Sequence, residues 1–275
     1  MSKIAFIGCG SMAEAMISGI IANDYIQPSQ IMIINKNNLE RRQELANKYG
    51  IETTTDYRQL LQNATIVILA VKPQNVFEAL TAVKPYINKQ MLIISVAAGI
   101  STNTIADIIG EDMPIIRSMP NTSAAVGKSA TAICTNNYTT TTQLETAKAL
   151  FETFGTATVV KEEQLDSVTG LSGSGPAYIY YIVEAMEEAA IKIGLDQAAA
   201  KELIVQTLNG AAEMLQQSQK TPATLRKEVT SPGGTTEAGL KVLQANEVKN
   251  AFIECIVAAT ERSKQLGKQL TTGIK

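Results

Sequence analysis

The chain of 275 residues contains no histidine. That absence removes Ser-His-Asp and Cys-His arrangements, imidazole metal ligation and imidazole acid–base catalysis together. Tryptophan is missing too, and aromatic residues make up only 5% of the chain, so a platform for stacking nucleic-acid bases is not expected. Charge is sparse and balanced: a net charge of −2 offers no field for nucleic acid and no basic stripe for a membrane surface. Three cysteines, Cys9, Cys134 and Cys255, lie far apart in the chain. An odd, scattered set gives no disulfide framework and no metal spacing, and Cys134 and Cys255 read as small buried hydrophobes. No metal is expected. No apolar run approaches the ~20 residues that span a bilayer. The strand-like run Ile4-Ala5-Phe6-Ile7 begins at once, without the longer apolar region and cleavage site of a secretory leader, so a cytoplasmic location is expected. Any chemistry must use a cofactor, hydroxyls, amines, carboxylates or backbone amides.

What is present is an alternation. Short β-branched runs at Lys3–Gly8, Gln30–Asn35, Ile66–Val71, Met91–Ser95 and Ile115–Met119 predict strands. Amphipathic segments at Met12–Ala22, Leu39–Tyr49 and Gln74–Val83 predict the helices between them. Several runs, such as Ile66-Val67-Ile68-Leu69-Ala70, are apolar at every position, as parallel strands covered on both faces should be. The pattern predicts an α/β, doubly wound parallel sheet. Ala130–Thr135 and Thr156–Val160, flanking a helix near Gln143–Phe154, extend it. Beyond about Lys161 the strand signal stops. Helices are expected from Pro176 to Ile193, from Asp196 to Gln217 and from Glu247 to Gln269, too apolar for so small a domain to cover. This half, 162–275, predicts an all-helical domain that buries surface in a subunit contact, with a plain helical substrate domain as the alternative.

Gly8-Cys9-Gly10-Ser11-Met12-Ala13 follows the first strand and opens the first helix, matching G-x-G-x-x-G/A. Gly8 permits the tight turn, Gly10 lets backbone approach a pyrophosphate, and Ala13 allows close helix–strand packing. Amides at the start of that helix favour an anion. An NAD enzyme presents Asp or Glu at the end of the second strand for the ribose hydroxyls. Here Asn35-Lys36-Asn37 stands there, with Arg41 and Arg42 a helical turn later. Amides and cations accept a 2′-phosphate that a carboxylate would repel, so NADPH is the expected cofactor, with NADH as the alternative.

Two further stretches exceed what packing demands: Thr169-Gly170-Leu171-Ser172-Gly173-Ser174-Gly175-Pro176-Ala177-Tyr178, and Val229-Thr230-Ser231-Pro232-Gly233-Gly234-Thr235-Thr236 just before a helix. The second offers free N–H groups and hydroxyls suited to a small carboxylate. A plain helix cap with flexible glycines reads equally well from the residues alone.

With Ala70-Val71-Lys72-Pro73, Ser95-Val96-Ala97-Ala98-Gly99 and Arg117-Ser118-Met119-Pro120-Asn121-Thr122 added, nearly the whole chain resembles the pyrroline-5-carboxylate reductase family. The resemblance implies an N-terminal Rossmann domain over 1–161 and a C-terminal helical dimerisation and substrate-binding domain over 162–275. It implies NADPH-dependent reduction of the C=N bond of 1-pyrroline-5-carboxylate to L-proline. By position, Gly8, Gly10, Ser11, Met12 and Ala13 hold the pyrophosphate, and Asn35 and Lys36 lie near the adenosine ribose or its phosphate. Ala70, Val71, Lys72, Ala97 and Ala98 line the ribose and nicotinamide. Ser231, Gly233, Gly234 and Thr235 belong to the turn that binds the substrate carboxylate, Thr236 hydrogen-bonds the ring nitrogen, and Glu162 matches a further substrate-contacting position. The resemblance also implies a homodimer in which the two sets of elements come from different subunits, with assembly into a larger ring as an extension. The family commonly has Asn where this chain has Tyr57 and Arg where it has Lys36; both departures fall on the adenosine side.

Two alternatives frame this expectation. The β-hydroxyacid dehydrogenases carry a catalytic lysine where this chain has Ile179. A non-catalytic NADP-sensing protein would need the cofactor loop but not the Ser231–Thr236 turn.

Overall fold

A computed structural model describes residues 3–272. The described residues form eight strands in one sheet: β1 (Ile4–Ile7), β2 (Ile31–Ile34), β3 (Glu52–Thr54), β4 (Ile66–Leu69), β5 (Leu92–Ser95), β6 (Ile115–Met119), β7 (Ser129–Thr135) and β8 (Gly155–Val159). Their order across the sheet is 3-2-1-4-5-6-7-8. Between them run α1 (Ser11–Ala22), α2 (Leu39–Tyr49), α3 (Tyr57–Leu61), α4 (Val76–Val83), α5 (Thr102–Ile109) and α6 (Thr141–Glu152).

The continuous apolar runs are explained by two core layers. Every residue of β1, β2, β4 and β5 is buried. Because side chains alternate across a strand, Ile4 and Phe6 enter one layer with Met16, Ile17 and Phe151. Ala5 and Ile7 enter the other with Leu60, Leu80 and Ile105. Helices α1 and α6 cover the first layer; α3, α4 and α5 cover the second. The strand order reverses between β1 and β4, which opens a crevice at their carboxyl ends, where such sheets bind ligands.

β7 runs antiparallel to β6. The link from Met119 to Ser129 holds only a tight turn at Thr122–Val126, too short for the crossover helix a parallel partner needs. α6 supplies that crossover between β7 and β8, which pair in parallel. The strand β3 and the helices α3 and α5 were not legible in the sequence: they are short, and β3 has one buried position.

The later chain is helical, as expected. It comprises α7 (Leu165–Val168), a π-helical turn at Thr169–Gly173, α8 (Gly175–Lys192), α9 (Gln197–Gln217), α10 (Pro222–Glu228), α11 (Thr235–Ala245) and α12 (Val248–Thr272). The chain divides into two compact units. One runs to Pro176 and resumes at Val257; the other is Ala177–Ile256. The sheet-bearing unit thus extends past the boundary expected at 161 and takes in α7, the π turn and the end of α12.

The second unit has little core of its own. Within it Ala190, Ala200 and Ile204 are buried, while Tyr180, Tyr181, Ile193, Leu203, Met214 and Ile253 are exposed. Cys134 is buried, but Cys255 is exposed on α12, against expectation, because the part of the helix that carries it lies in this thinly covered unit.

Candidate active site

The first unit carries the dinucleotide loop. Gly8 adopts φ +108°, and a Cβ there would collide with the Ala70 carbonyl, so only glycine fits between β1 and β4. Gly10 is the N-cap of α1, and a Cβ placed on it would meet only open space. The start of α1 therefore presents backbone N–H groups without a side-chain cap, the arrangement a pyrophosphate requires. Ala13 is fully buried, as the packing role of its position demands. Cys9 turns inward among the core residues, and burial pushes its thiol pKa up.

Beside the loop, Ile7, Gly8, Asn35, Lys36, Asn37, Tyr57, Val71, Asn75 and Glu78 surround a small cavity of about 80 Å³ at the end of β2. The Asn35 Oδ1 accepts the N–H groups of Asn37 and Asn38, each at 3.0 Å, and so shapes this corner. The three cations named from sequence separate here. Arg42 is buried and donates to the carbonyls of Thr54 (2.9 Å) and Asn35 (3.3 Å), a structural task. Arg41 is held by Glu14 and by Glu44 at 2.7 Å. Lys36 remains on the cavity, exposed and paired with Glu78 at 2.9 Å. These residues fit a dinucleotide: a glycine cradle, open helix amides, and an amide and an ammonium, rather than a carboxylate, at the end of β2.

A second cavity, of about 490 Å³, also lies within the first unit. Pro73, Ala98, Gly99, Thr169 and Ser174 form one wall, and Ala259, Arg262, Ser263 and Leu266 of α12 the other. Ala98 is thus on the cavity, whereas Ala97 is buried with its N–H on the Ser95 hydroxyl at 3.3 Å. Lys72 is exposed and precedes the short turn Pro73–Asn75.

Glu162 serves this wall from behind. Its carboxylate accepts the Thr102 N–H at 2.7 Å and the Thr102 hydroxyl at 2.6 Å, with Arg117 at 3.4 Å. Asp166 accepts the Ser263 hydroxyl at 2.7 Å and lies 4.0 Å from Arg117. The Glu162 oxygens are therefore occupied by the start of α5 and by β6. The expected substrate contact at this position would share these oxygens with Thr102 and Arg117.

The second unit holds the Ser231–Thr236 turn. Gly233 adopts φ +70° and the Gly234 N–H closes on the Ser231 carbonyl at 3.0 Å. Gly234 is the N-cap of α11. Thr235 and Thr236 are exposed, and neither hydroxyl caps the helix, which removes the capping reading of Thr236. The Gly233 N–H is not open: it donates to the Glu237 carboxylate at 2.6 Å. That bond, followed by Lys241, holds the Glu237 carboxyl below its ordinary value.

Residues 162–266 match the family description "pyrroline-5-carboxylate reductase dimerisation", and residues 3–99 match "NADP oxidoreductase coenzyme F420-dependent". Pyrroline-5-carboxylate reductase 2 of Bacillus subtilis (strain 168) is 48% identical over 269 residues, 98% of this chain and 96% of that protein. The chain belongs to the pyrroline-5-carboxylate reductase family. The family's enzyme from Corynebacterium melassecola is 38% identical over 98% of this chain and all of its own length. Among solved structures, the pyrroline-5-carboxylate reductase of Coxiella burnetii superposes with a TM-score of 0.90 at 38% identity, covering 96% of this chain and 98% of that one. The Plasmodium falciparum pyrroline carboxylate reductase, solved with NADP bound, does so with 0.86 at 29% identity, covering 97% and 98%.

Sequence reasoning missed the α12 wall. Ala259, Arg262, Ser263 and Leu266 recur at helical spacing, which is indistinguishable from a packing face without the fold. It also missed Glu78 and Glu237, lone carboxylates on helices with no motif around them.

Proposed function

We infer that the protein reduces the C=N bond of 1-pyrroline-5-carboxylate to L-proline with NADPH, the last step of proline biosynthesis. The observation that carries this reading is full-length membership of the reductase family in a chain that builds the dinucleotide crevice with an uncharged Asn35 and an exposed Lys36 at its ribose end.

NADPH, when bound, supplies the hydride. The chain's own residues bind and orient. The Ser231–Thr236 turn anchors the substrate carboxylate through the Ser231 hydroxyl and the amides that open α11, with the Gly233 N–H joining once Glu237 yields it, and the exposed Thr236 hydroxyl holds the ring nitrogen. A substrate that binds as the iminium already carries its proton, so the nitrogen regains its lone pair on hydride addition and no strong enzymic acid is needed. Lys72 does not serve as that acid, since a cation beside an iminium would oppose binding.

The exposed apolar residues of the second unit support a homodimer, and the dimerisation match over 162–266 agrees with it. We place the cofactor elements and the Ser231–Thr236 turn of one active site on different subunits, with a ring of dimers as the larger assembly. A cytoplasmic location accords with a biosynthetic reductase; no helix among the described residues is long and apolar enough to cross a membrane.

Initial rates of cofactor oxidation with NADPH and with NADH, each with and without pyrroline-5-carboxylate, test the reading. Oxidation that depends on the imine and is faster with NADPH is expected. No imine-dependent oxidation with either cofactor would overturn it.

A further inference from the structure

At the ribose end of the cofactor crevice the cation left on the cavity is already paired. Lys36 Nζ lies 2.9 Å from Glu78 Oε1, across the cavity that Asn35, Asn37 and Tyr57 also line. Both partners are well exposed, 53% and 70% for their side chains. An exposed pair of this kind contributes little to stability and is easily exchanged. Lys36 is thus available to an incoming anion. Glu78, however, stays on the first turn of α4, fixed to the cavity wall by its neighbours Val76 and Ala79, which are buried. The other two nearby cations cannot offset it, since Arg41 and Arg42 are committed to Glu14, Glu44 and backbone carbonyls.

We propose that Glu78 is a specificity-determining residue for the cofactor, competing with the 2′-phosphate of NADPH for Lys36 and so narrowing the preference for NADPH over NADH. This deepens the nicotinamide-cofactor reading above and rests on it. A 2′-phosphate carries roughly −1.5 to −2 charges near neutral pH, so Lys36 must leave Glu78 to meet it and the carboxylate then faces a like charge. NADH brings only hydroxyls to the same corner. For it the Glu78 carboxylate is a hydrogen-bond acceptor rather than a repulsive neighbour. The residue therefore acts on the difference between the two cofactors. The departure at Tyr57 belongs to the same corner: burial raises the Tyr57 phenol, and Lys36 and Glu78 act on it in opposite senses.

The test measures dissociation constants of NADPH and NADH by fluorescence titration of the intact wild-type protein, Glu78→Gln, Lys36→Gln and the double variant, without substrate. Glu78→Gln should tighten NADPH binding by about three- to ten-fold at low salt, leave NADH unchanged or weaker, and lose most of its effect at high salt. Lys36→Gln should weaken NADPH alone. In the double variant the Glu78→Gln gain should be smaller than in the wild-type background if competition for Lys36 carries it. A Glu78→Gln protein that binds both cofactors as the wild type does, or shifts both equally, overturns the proposal while leaving the reductase reading intact. A wild-type protein that binds neither cofactor overturns both.

Discussion

Glu162 grips both ends of Thr102, the backbone N–H at 2.7 Å with one oxygen and the side-chain hydroxyl at 2.6 Å with the other. This fixes the first turn of α5, whose N-cap, Ser101, accepts the Thr104 N–H at 3.0 Å. The segment immediately before it, Ala98 and Gly99, forms the cavity wall. Arg117, with a side chain only 9% exposed, completes the cluster from β6. Glu162→Ala should leave the Arg117 guanidinium with a single distant partner and destabilise the first unit by about 2–3 kcal/mol. Thermal melts should show the loss. In the fraction that remains folded, KM for pyrroline-5-carboxylate should hold while kcat falls through the displaced wall. A large rise in KM with unchanged stability would instead make Glu162 a direct substrate contact.

Asn35→Asp is a clean probe of cofactor charge. The two N–H groups of Asn37 and Asn38 that Asn35 Oδ1 accepts would be accepted equally by a carboxylate, so the corner keeps its shape. Besides the charge, only the amide's hydrogen bond to the Cys9 thiol is lost. NADPH binding should weaken by about ten-fold or more, and NADH binding should change far less. Equal loss of both would mean that the substitution disturbs the loop rather than the 2′-phosphate.

Glu237 occupies the Gly233 N–H that a substrate carboxylate would use. Because the Gly233 amide, then Lys241, lowers its pKa, Glu237 is ionised throughout the neutral range, and this competition is relieved only as pH falls through the lowered value. Glu237→Gln should therefore lower KM for pyrroline-5-carboxylate by about two- to five-fold near pH 7, since an amide neither repels the substrate carboxylate nor holds the N–H as strongly. The advantage over the wild type should shrink toward acid pH, where the wild-type carboxyl becomes neutral too. A raised KM would place Glu237 on the side of binding rather than competition.

Much of this was legible in the residues. The apolar runs of β1, β2, β4 and β5 forecast a sheet covered on both sides because each position is buried in one of two layers. Gly8 was legible because its role is steric and local. The direction of β7 was not, since it depends on the short link after Met119 rather than on the strand itself. Lys36, Arg41 and Arg42 look alike in sequence. Only the fold shows that Arg42 faces the Thr54 carbonyl and Arg41 faces Glu14, leaving Lys36 on the cavity at the end of β2. The partners of Glu162 within the fold, Thr102 and Arg117, were hidden for the same reason: they are distant in the chain.

The Ser231–Thr236 turn tests the catalytic half of the account. Thr236 does not cap α11, so Thr236→Ala should leave thermal stability close to wild type. Its loss of one hydrogen bond to a charged partner should lower kcat/KM by about one to two orders of magnitude, or ~1.5–3 kcal/mol. NADPH affinity without substrate should barely change.

The most direct measurement follows L-proline and NADPH together in a single reaction of the purified protein with pyrroline-5-carboxylate. One proline formed for each NADPH consumed, with neither change when the imine is omitted, is the predicted result. NADPH consumption without proline, or no consumption at all by a folded protein that binds the cofactor, would contradict the account.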